Sequence, residues 1–203
     1  MSKDILRQKL SIQRRQLSAS ARGQLDAAVQ SRLVASTAFR DAETVALYAS
    51  TRFEAGTEQI FADARRMKKC VVYPRVVGEK LVFVPVTAAS DMGAGAFGIR
   101  EPLGDESILL SDIDLMLLPG LAFSRDGHRL GSGRGFYDRT LAGAERPETL
   151  VGLAYDFQLI ETLPDEAHDV RLDLLVTDAR VLAFASLITP QHSVDCTEGG
   201  LKP

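Results

Sequence analysis

Between Arg129 and Arg139 the chain reads Arg129-Leu130-Gly131-Ser132-Gly133-Arg134-Gly135-Phe136-Tyr137-Asp138-Arg139. Alternating glycines let a backbone take positive φ and approach a ligand closely. Amide N–H groups then converge in a concave loop, and a helix opening at Phe136 would add positive potential at its N-terminus. Arg129, Arg134 and Arg139 bring charge to the same place, with Arg125 and His128 just upstream. Such a loop suits a phosphorylated ligand. It lacks the Gly-Lys-Ser/Thr ending of a P-loop, and its last two glycines are too close for the dinucleotide fingerprint. A solvated glycine-rich turn is the competing reading of the loop taken alone. Lys3 and Arg7 lie one helical turn apart, so both can point at one anion.

Elements that could position these groups alternate along the chain. Residues 3–16 form a basic amphipathic helix with Ile5, Leu6, Leu10 and Leu17 near one face. Ser18 or Ser20 caps a second helix bearing Leu25, Val29 and Leu33, and Thr57 caps a third bearing Ile60, Phe61 and Ala64. Strands are expected at 44–49, 70–73 (closed by Pro74), 81–86, 113–118, 150–154, 174–177 and 181–185. This alternation predicts an α/β fold, a three-layer α/β/α arrangement around a mostly parallel, Rossmann-like sheet. Ligands would collect beyond the carboxyl ends of the strands, near Glu54, Pro74 and the loop after Leu118.

At 203 residues, 45% hydrophobic and 25% charged, the chain has the composition of an ordinary soluble domain. One domain over 1–190 with a disordered tail over 191–203 is expected. A net charge of -3 argues against nucleic acid or an anionic membrane as the main partner. Without an apolar signal core or a bilayer-length apolar run, and with Cys70 and Cys196 as the two cysteines, the expected setting is cytoplasmic.

Read from Leu118, the order Pro119-Gly120-Leu121-Ala122-Phe123, Asp126-Gly127, Arg129-Leu130-Gly131 and Gly135-Phe136-Tyr137-Asp138-Arg139 resembles the signature of the 5-formyltetrahydrofolate cyclo-ligase family. The resemblance extends through Lys3 and Arg7, Tyr48, Ser50, Glu54 and Thr57, Tyr73-Pro74-Arg75, Glu101-Pro102, Val151-Gly152-Leu153-Ala154-Tyr155, Gln158 and His168-Asp169 to Asp173. It implies ATP-dependent closure of 5-formyltetrahydrofolate to 5,10-methenyltetrahydrofolate with Mg²⁺, performed by a monomer that takes folate and ATP as small-molecule partners.

The same resemblance implies roles for particular residues. Lys3, Arg7 and the loop Arg129, Leu130, Gly131, Ser132, Gly133, Arg134, Gly135, Phe136 and Tyr137 would hold ATP, with Arg134 and Tyr137 serving the chemistry. Glu54, Phe97, Ser132, Gly133 and Phe136 would contact the folate. Asp138 and Asp173 would ligate Mg²⁺, a cation that takes one or two carboxylates beside phosphate oxygens. Without the resemblance, Asp138 reads as a first-turn acid answering the helix dipole, Asp173 as a strand-edge turn residue and Phe97 as a core plug. Ala55 and Gly56 stand where relatives carry an aliphatic residue and Asp or Asn, which bears on the folate contact. A non-catalytic nucleotide-binding homologue is the alternative function.

Overall fold

The computed structural model describes residues 2–143, 145–164, 166 and 169–184. Cys196, His168 and the 191–203 tail lie outside them. The chain runs α1 (Lys3–Gln16), α2 (Ala19–Val34), α3 (Thr37–Asp41), β1 (Thr44–Ala46), α4 (Glu58–Arg66), β2 (Cys70–Val77), β3 (Lys80–Pro85), β4 (Met92–Ala94), β5 (Arg100–Pro102), β6 (Leu115–Leu118), β7 (Ala122–Ser124), β8 (Arg129–Leu130), α5 (Phe136–Leu141), β9 (Thr149–Leu153), β10 (Leu159–Ile160), β11 (Leu174–Val176) and β12 (Val181–Ala183).

A seven-stranded sheet in the order β12-β11-β9-β6-β1-β2-β3 forms the centre. Its five inner strands are parallel, and β3 and β12 close the two edges antiparallel. Strand alternation sends side chains to both faces. Val45, Leu115, Leu117, Val151 and Val176 meet α2, α3 and α4 through Val29, Leu33, Phe39 and Ile60. Ala46, Met116, Leu118, Leu150 and Leu175 face Phe123 and Leu141 on the other side. The expected mostly parallel α/β sheet is therefore present. One outer layer differs from a row of helices: α5 shares it with a small sheet, β10-β7-β8, on which α1 packs through Leu6 and Leu10.

Local signals account for most boundaries. Ser18, rather than Ser20, caps α2, its hydroxyl accepting from the Ala21 amide at 3.1 Å. Thr57 does not cap α4 through its side chain; it donates to the Tyr48 carbonyl, and Gln30 of α2 accepts from the Gln59 and Ile60 amides instead. Strand β2 runs through Pro74 rather than stopping there. Its pairing with β1 ends at Val72, so the missing Pro74 N–H faces no partner strand on that side. Ile5, expected in the apolar stripe of α1, is exposed, and the buried stripe is Leu6, Leu10 and Arg14.

The order of the parallel strands reverses at β1, which has β2 on one side and β6 on the other. Such a reversal leaves a crevice beyond the carboxyl ends of the two strands at the switch. Gly120 turns the chain there without room for a Cβ, which would lie 2.6 Å from the Phe123 ring.

Candidate active site

A cavity of about 530 Å³ opens at that switch point. Tyr48, Ala49 and Glu54 line it after β1, Pro119, Gly120 and Leu121 after β6, and residues 129–138 along one wall. Lys3, Arg7 and Arg14 enter from α1, and Phe97 from the segment between β4 and β5. The structure thus brings together every site residue expected from sequence except Asp173.

The glycine loop has the conformation its composition requires. Gly133 and Gly135 have φ of 99° and 66°, and Gly135 precedes the first residue of α5. Residues with a Cβ rarely adopt such angles. Arg134 stands between these two glycines with its guanidinium carbon 3.5 Å from the centre of the Phe97 ring. Arg7 donates from Nε to the Gly131 carbonyl at 3.2 Å and pairs with Asp4 at 2.7 Å. Lys3 lies between Asp169 at 2.9 Å and Glu166 at 3.2 Å. Burial works against its charge, but those two carboxylates outweigh it and raise its pKa. Arg129 is almost wholly buried and donates to Asp138 at 2.7 Å and to the Pro119 carbonyl at 3.4 Å. Its charge is therefore already answered, and it joins the switch loop to the first turn of α5. Among the described residues, Arg134 has no ion pair, so it is the loop arginine whose charge is left for a ligand.

Arg125 and Arg139, expected from sequence to add charge here, do not line the cavity. Arg125 pairs with Glu161 at 2.8 Å, and Arg139 donates to the Glu79 carbonyl at 3.0 Å. His128 is turned toward Asp126 at 3.7 Å, also outside the cavity.

Glu54 sits on a loop held from beneath. Tyr48 donates to the Ala55 carbonyl at 2.7 Å, Tyr155 donates to Asp26 at 2.9 Å with the Glu54 carbonyl 3.3 Å from the same hydroxyl, and Asp26 accepts from the Gly56 amide at 2.9 Å. The Glu54 carboxylate accepts from the Thr51 amide and lines the cavity. Ala55 and Gly56 are buried in that support and do not line the cavity, so their departure from the family pattern does not alter its surface. Burial, followed by the charge of Glu54, raises the pKa of both Tyr48 and Tyr137. Both phenols stay protonated at neutral pH and remain donors.

Asp173 requires a correction. It immediately precedes β11, so it lies at the amino ends of the parallel strands, the edge of the sheet opposite the cavity. There it accepts from the Leu150 amide at 2.8 Å and pairs with Arg146. Its place is structural, joining β9 to β11. Asp138 does line the cavity, where one carboxylate oxygen accepts from Arg129.

Sequence reasoning missed Arg14 and Glu166 as cavity residues, and named Glu101 and Asp169 among the positions of the resemblance without giving either a role in the site. Arg14 is buried, donates to the Gly120 carbonyl at 3.3 Å, and has its pKa lowered by that burial. Its position four residues after Leu10 in an apolar stripe was the available signal. Glu101 accepts from the Ala96 amide at 3.1 Å and so supports the turn that presents Phe97.

The model of the 5-formyltetrahydrofolate cyclo-ligase family matches residues 1–178. The 5-formyltetrahydrofolate cyclo-ligase of Escherichia coli K12 is 37% identical over 147 residues, covering 69% of this chain and 80% of the relative. That of Mycoplasma pneumoniae is 31% identical over 181 residues, covering 88% and 99%. The solved structure of 5,10-methenyltetrahydrofolate synthetase from Aquifex aeolicus superposes with a TM-score of 0.83 at 34% identity, covering 97% of this chain and 100% of that one.

Proposed function

The chain belongs to the 5-formyltetrahydrofolate cyclo-ligase family, and from that premise we propose that it closes 5-formyltetrahydrofolate to 5,10-methenyltetrahydrofolate with consumption of ATP. The observation that carries this reading is the juxtaposition in one cavity of a glycine loop bearing an arginine without an ion pair among the described residues with a loop carboxylate, Glu54, that follows the neighbouring strand β1. The first suits a triphosphate and the second suits the donor edge of a pterin.

An amide-like formyl oxygen is a poor leaving group as hydroxide. In the proposed reaction it attacks the γ-phosphorus of ATP, forming an O–P bond as the bond to the bridging β–γ oxygen breaks and ADP departs. N10 then attacks the activated carbon and loses its proton, and phosphate leaves with the oxygen. The ring is closed. Glu54 orients the pterin, while the amides of residues 131–135 and Arg7 and Lys3 receive the phosphates. Arg134, turned toward the phosphates, would neutralise charge that grows as phosphoryl transfer proceeds, and a cation in that place accelerates the step. The Tyr137 phenol, protonated at neutral pH, can donate a hydrogen bond to a phosphoryl oxygen.

The donor set fits Mg²⁺ that arrives with its nucleotide. Among the described residues no three acidic, His or Cys side chains group to hold a metal by themselves. A Mg²⁺ bound mainly through phosphate oxygens and water needs one or two carboxylates, and Asp138 lines the phosphate end of the cavity. The ion would supply charge neutralisation there. The reading takes the protein as a monomer whose partners are two small molecules, folate and ATP. Among the described residues no helix is long and apolar enough to cross a membrane, and a reaction that consumes ATP and a reduced folate is in keeping with a cytoplasmic enzyme.

The test is to mix the purified protein with ATP, Mg²⁺ and 5-formyltetrahydrofolate and follow methenyltetrahydrofolate absorbance, beside an Arg134→Ala variant. The expected result is ATP-dependent product, with turnover of the variant reduced about 10²–10³-fold and folate affinity little changed. ATP binding without product would assign the chain to the non-catalytic alternative.

A further inference from the structure

Phe97 combines three features that packing alone does not explain. It is 55% exposed despite being a large apolar side chain. Its backbone holds φ 59° and ψ 23°, a left-handed conformation that disfavours residues with a Cβ, and Glu101 braces the turn through the Ala96 amide. Its ring stands at the cavity, 5.8 Å from the Phe136 ring, with the Arg134 guanidinium stacked on it at 3.5 Å. Strain kept at a cavity wall to present an aromatic face points to a ligand for that face. In this structure the face is covered by the cation that the phosphate loop needs.

We propose that the Phe97–Arg134 stack is a displaceable latch that couples binding of the two substrates. Arg134 turns toward phosphate by leaving Phe97, and a flat ring of the folate takes the Phe97 face once Arg134 has left. Both ligands therefore select the unstacked state. Whichever binds first bears the cost of breaking the stack, and the second meets a site already open. Linkage makes the coupling equal in both directions. A guanidinium–aromatic stack at a partly open site corresponds to a factor of about 3–10 in affinity. Phe97 is then a positioning residue for Arg134 as well as a wall of the folate site. Flanking glycines with positive φ give Arg134 the freedom to move between the two places.

This inference rests on the function proposed above, but its main readout needs no folate. The affinity of a non-hydrolysable ATP analogue with Mg²⁺ is measured by calorimetry, with and without 5-formyltetrahydrofolate, for the wild-type protein, Phe97→Leu and Phe97→Trp. In the wild type, folate should tighten the analogue about 3–10-fold. Phe97→Leu removes the competing stack, so it should bind the analogue alone tighter by a similar factor and gain little more from folate. Phe97→Trp offers Arg134 a stronger partner and should weaken the analogue alone. These opposite signs separate a latch from a merely structural role, since loss of packing would weaken both variants. Unchanged or weaker analogue binding by Phe97→Leu, with a wild-type melting curve, would overturn the latch. A wild-type protein that binds the analogue but not 5-formyltetrahydrofolate would instead contradict the proposed function, and the comparison of analogue affinities would still decide the latch.

Discussion

Asp138 gathers two demands on one side chain. Its carboxylate answers Arg129, whose side chain is 4% exposed, and it faces the cavity where the nucleotide's metal would sit. Asp138→Asn keeps an acceptor oxygen for Arg129 but loses the charge. We expect a stability loss of about 1–3 kcal/mol, because a nearly buried guanidinium keeps a weaker partner. The same variant should need more Mg²⁺ for half-maximal cyclisation. A lowered melting temperature with an unchanged Mg²⁺ titration would leave Asp138 as an anchor for Arg129 alone. At this scale sequence was most informative where residue type and spacing jointly demanded a backbone shape, as at Gly133 and Gly135. It was least informative for which arginines are buried and already paired, as Arg14 and Arg129 are and Arg134 is not. Their different burial and partners come from tertiary packing.

The loop and α5 act as one element, joined at Gly135. Its φ of 66° and ψ of 14° place it in the left-handed region just before the helix, and an added Cβ would meet the Arg139 guanidinium at 2.8 Å. Gly135→Ala should therefore destabilise the protein by about 1–2 kcal/mol and weaken ATP binding, while 5-formyltetrahydrofolate binding is less affected. Wild-type nucleotide affinity in this variant would show that the Gly135 conformation does not shape the phosphate site. The apolar strands of the central sheet were legible as runs of buried-type residues closed by turn signals, and the amphipathic helices from their periodicity. The hairpin β4–β5, the helix α3 and the small sheet β10-β7-β8 were not foreseen, being runs of two to five residues without a period to read. Asp173 shows a signal that was present but unused. It precedes an apolar strand, and in a parallel sheet that places it away from the carboxyl-end crevice.

The whole molecule closes its site and its core with the same tyrosines. All four, Tyr48, Tyr73, Tyr137 and Tyr155, have pKa values raised first by burial from the ordinary 10.0, with Tyr73 pushed up to about 12. A raised folded-state pKa means that the fold holds these protons more tightly than the unfolded chain does. The stability they contribute is complete below pH 10.0 and is lost as pH rises through the folded values. An ultraviolet titration should therefore show no tyrosinate class ionising near pH 10 while circular dichroism remains native. Ionisation should instead accompany alkaline unfolding. A native-state tyrosinate signal near the ordinary pKa would contradict the burial described. The most direct test of the proposed chemistry follows the formyl oxygen itself. With a heavy-oxygen label in the formyl group of 5-formyltetrahydrofolate, ATP and Mg²⁺, the released inorganic phosphate should carry the label, one ADP appearing for each methenyltetrahydrofolate formed. Product formed with the label in water and none in phosphate would contradict transfer of the phosphoryl group to the formyl oxygen.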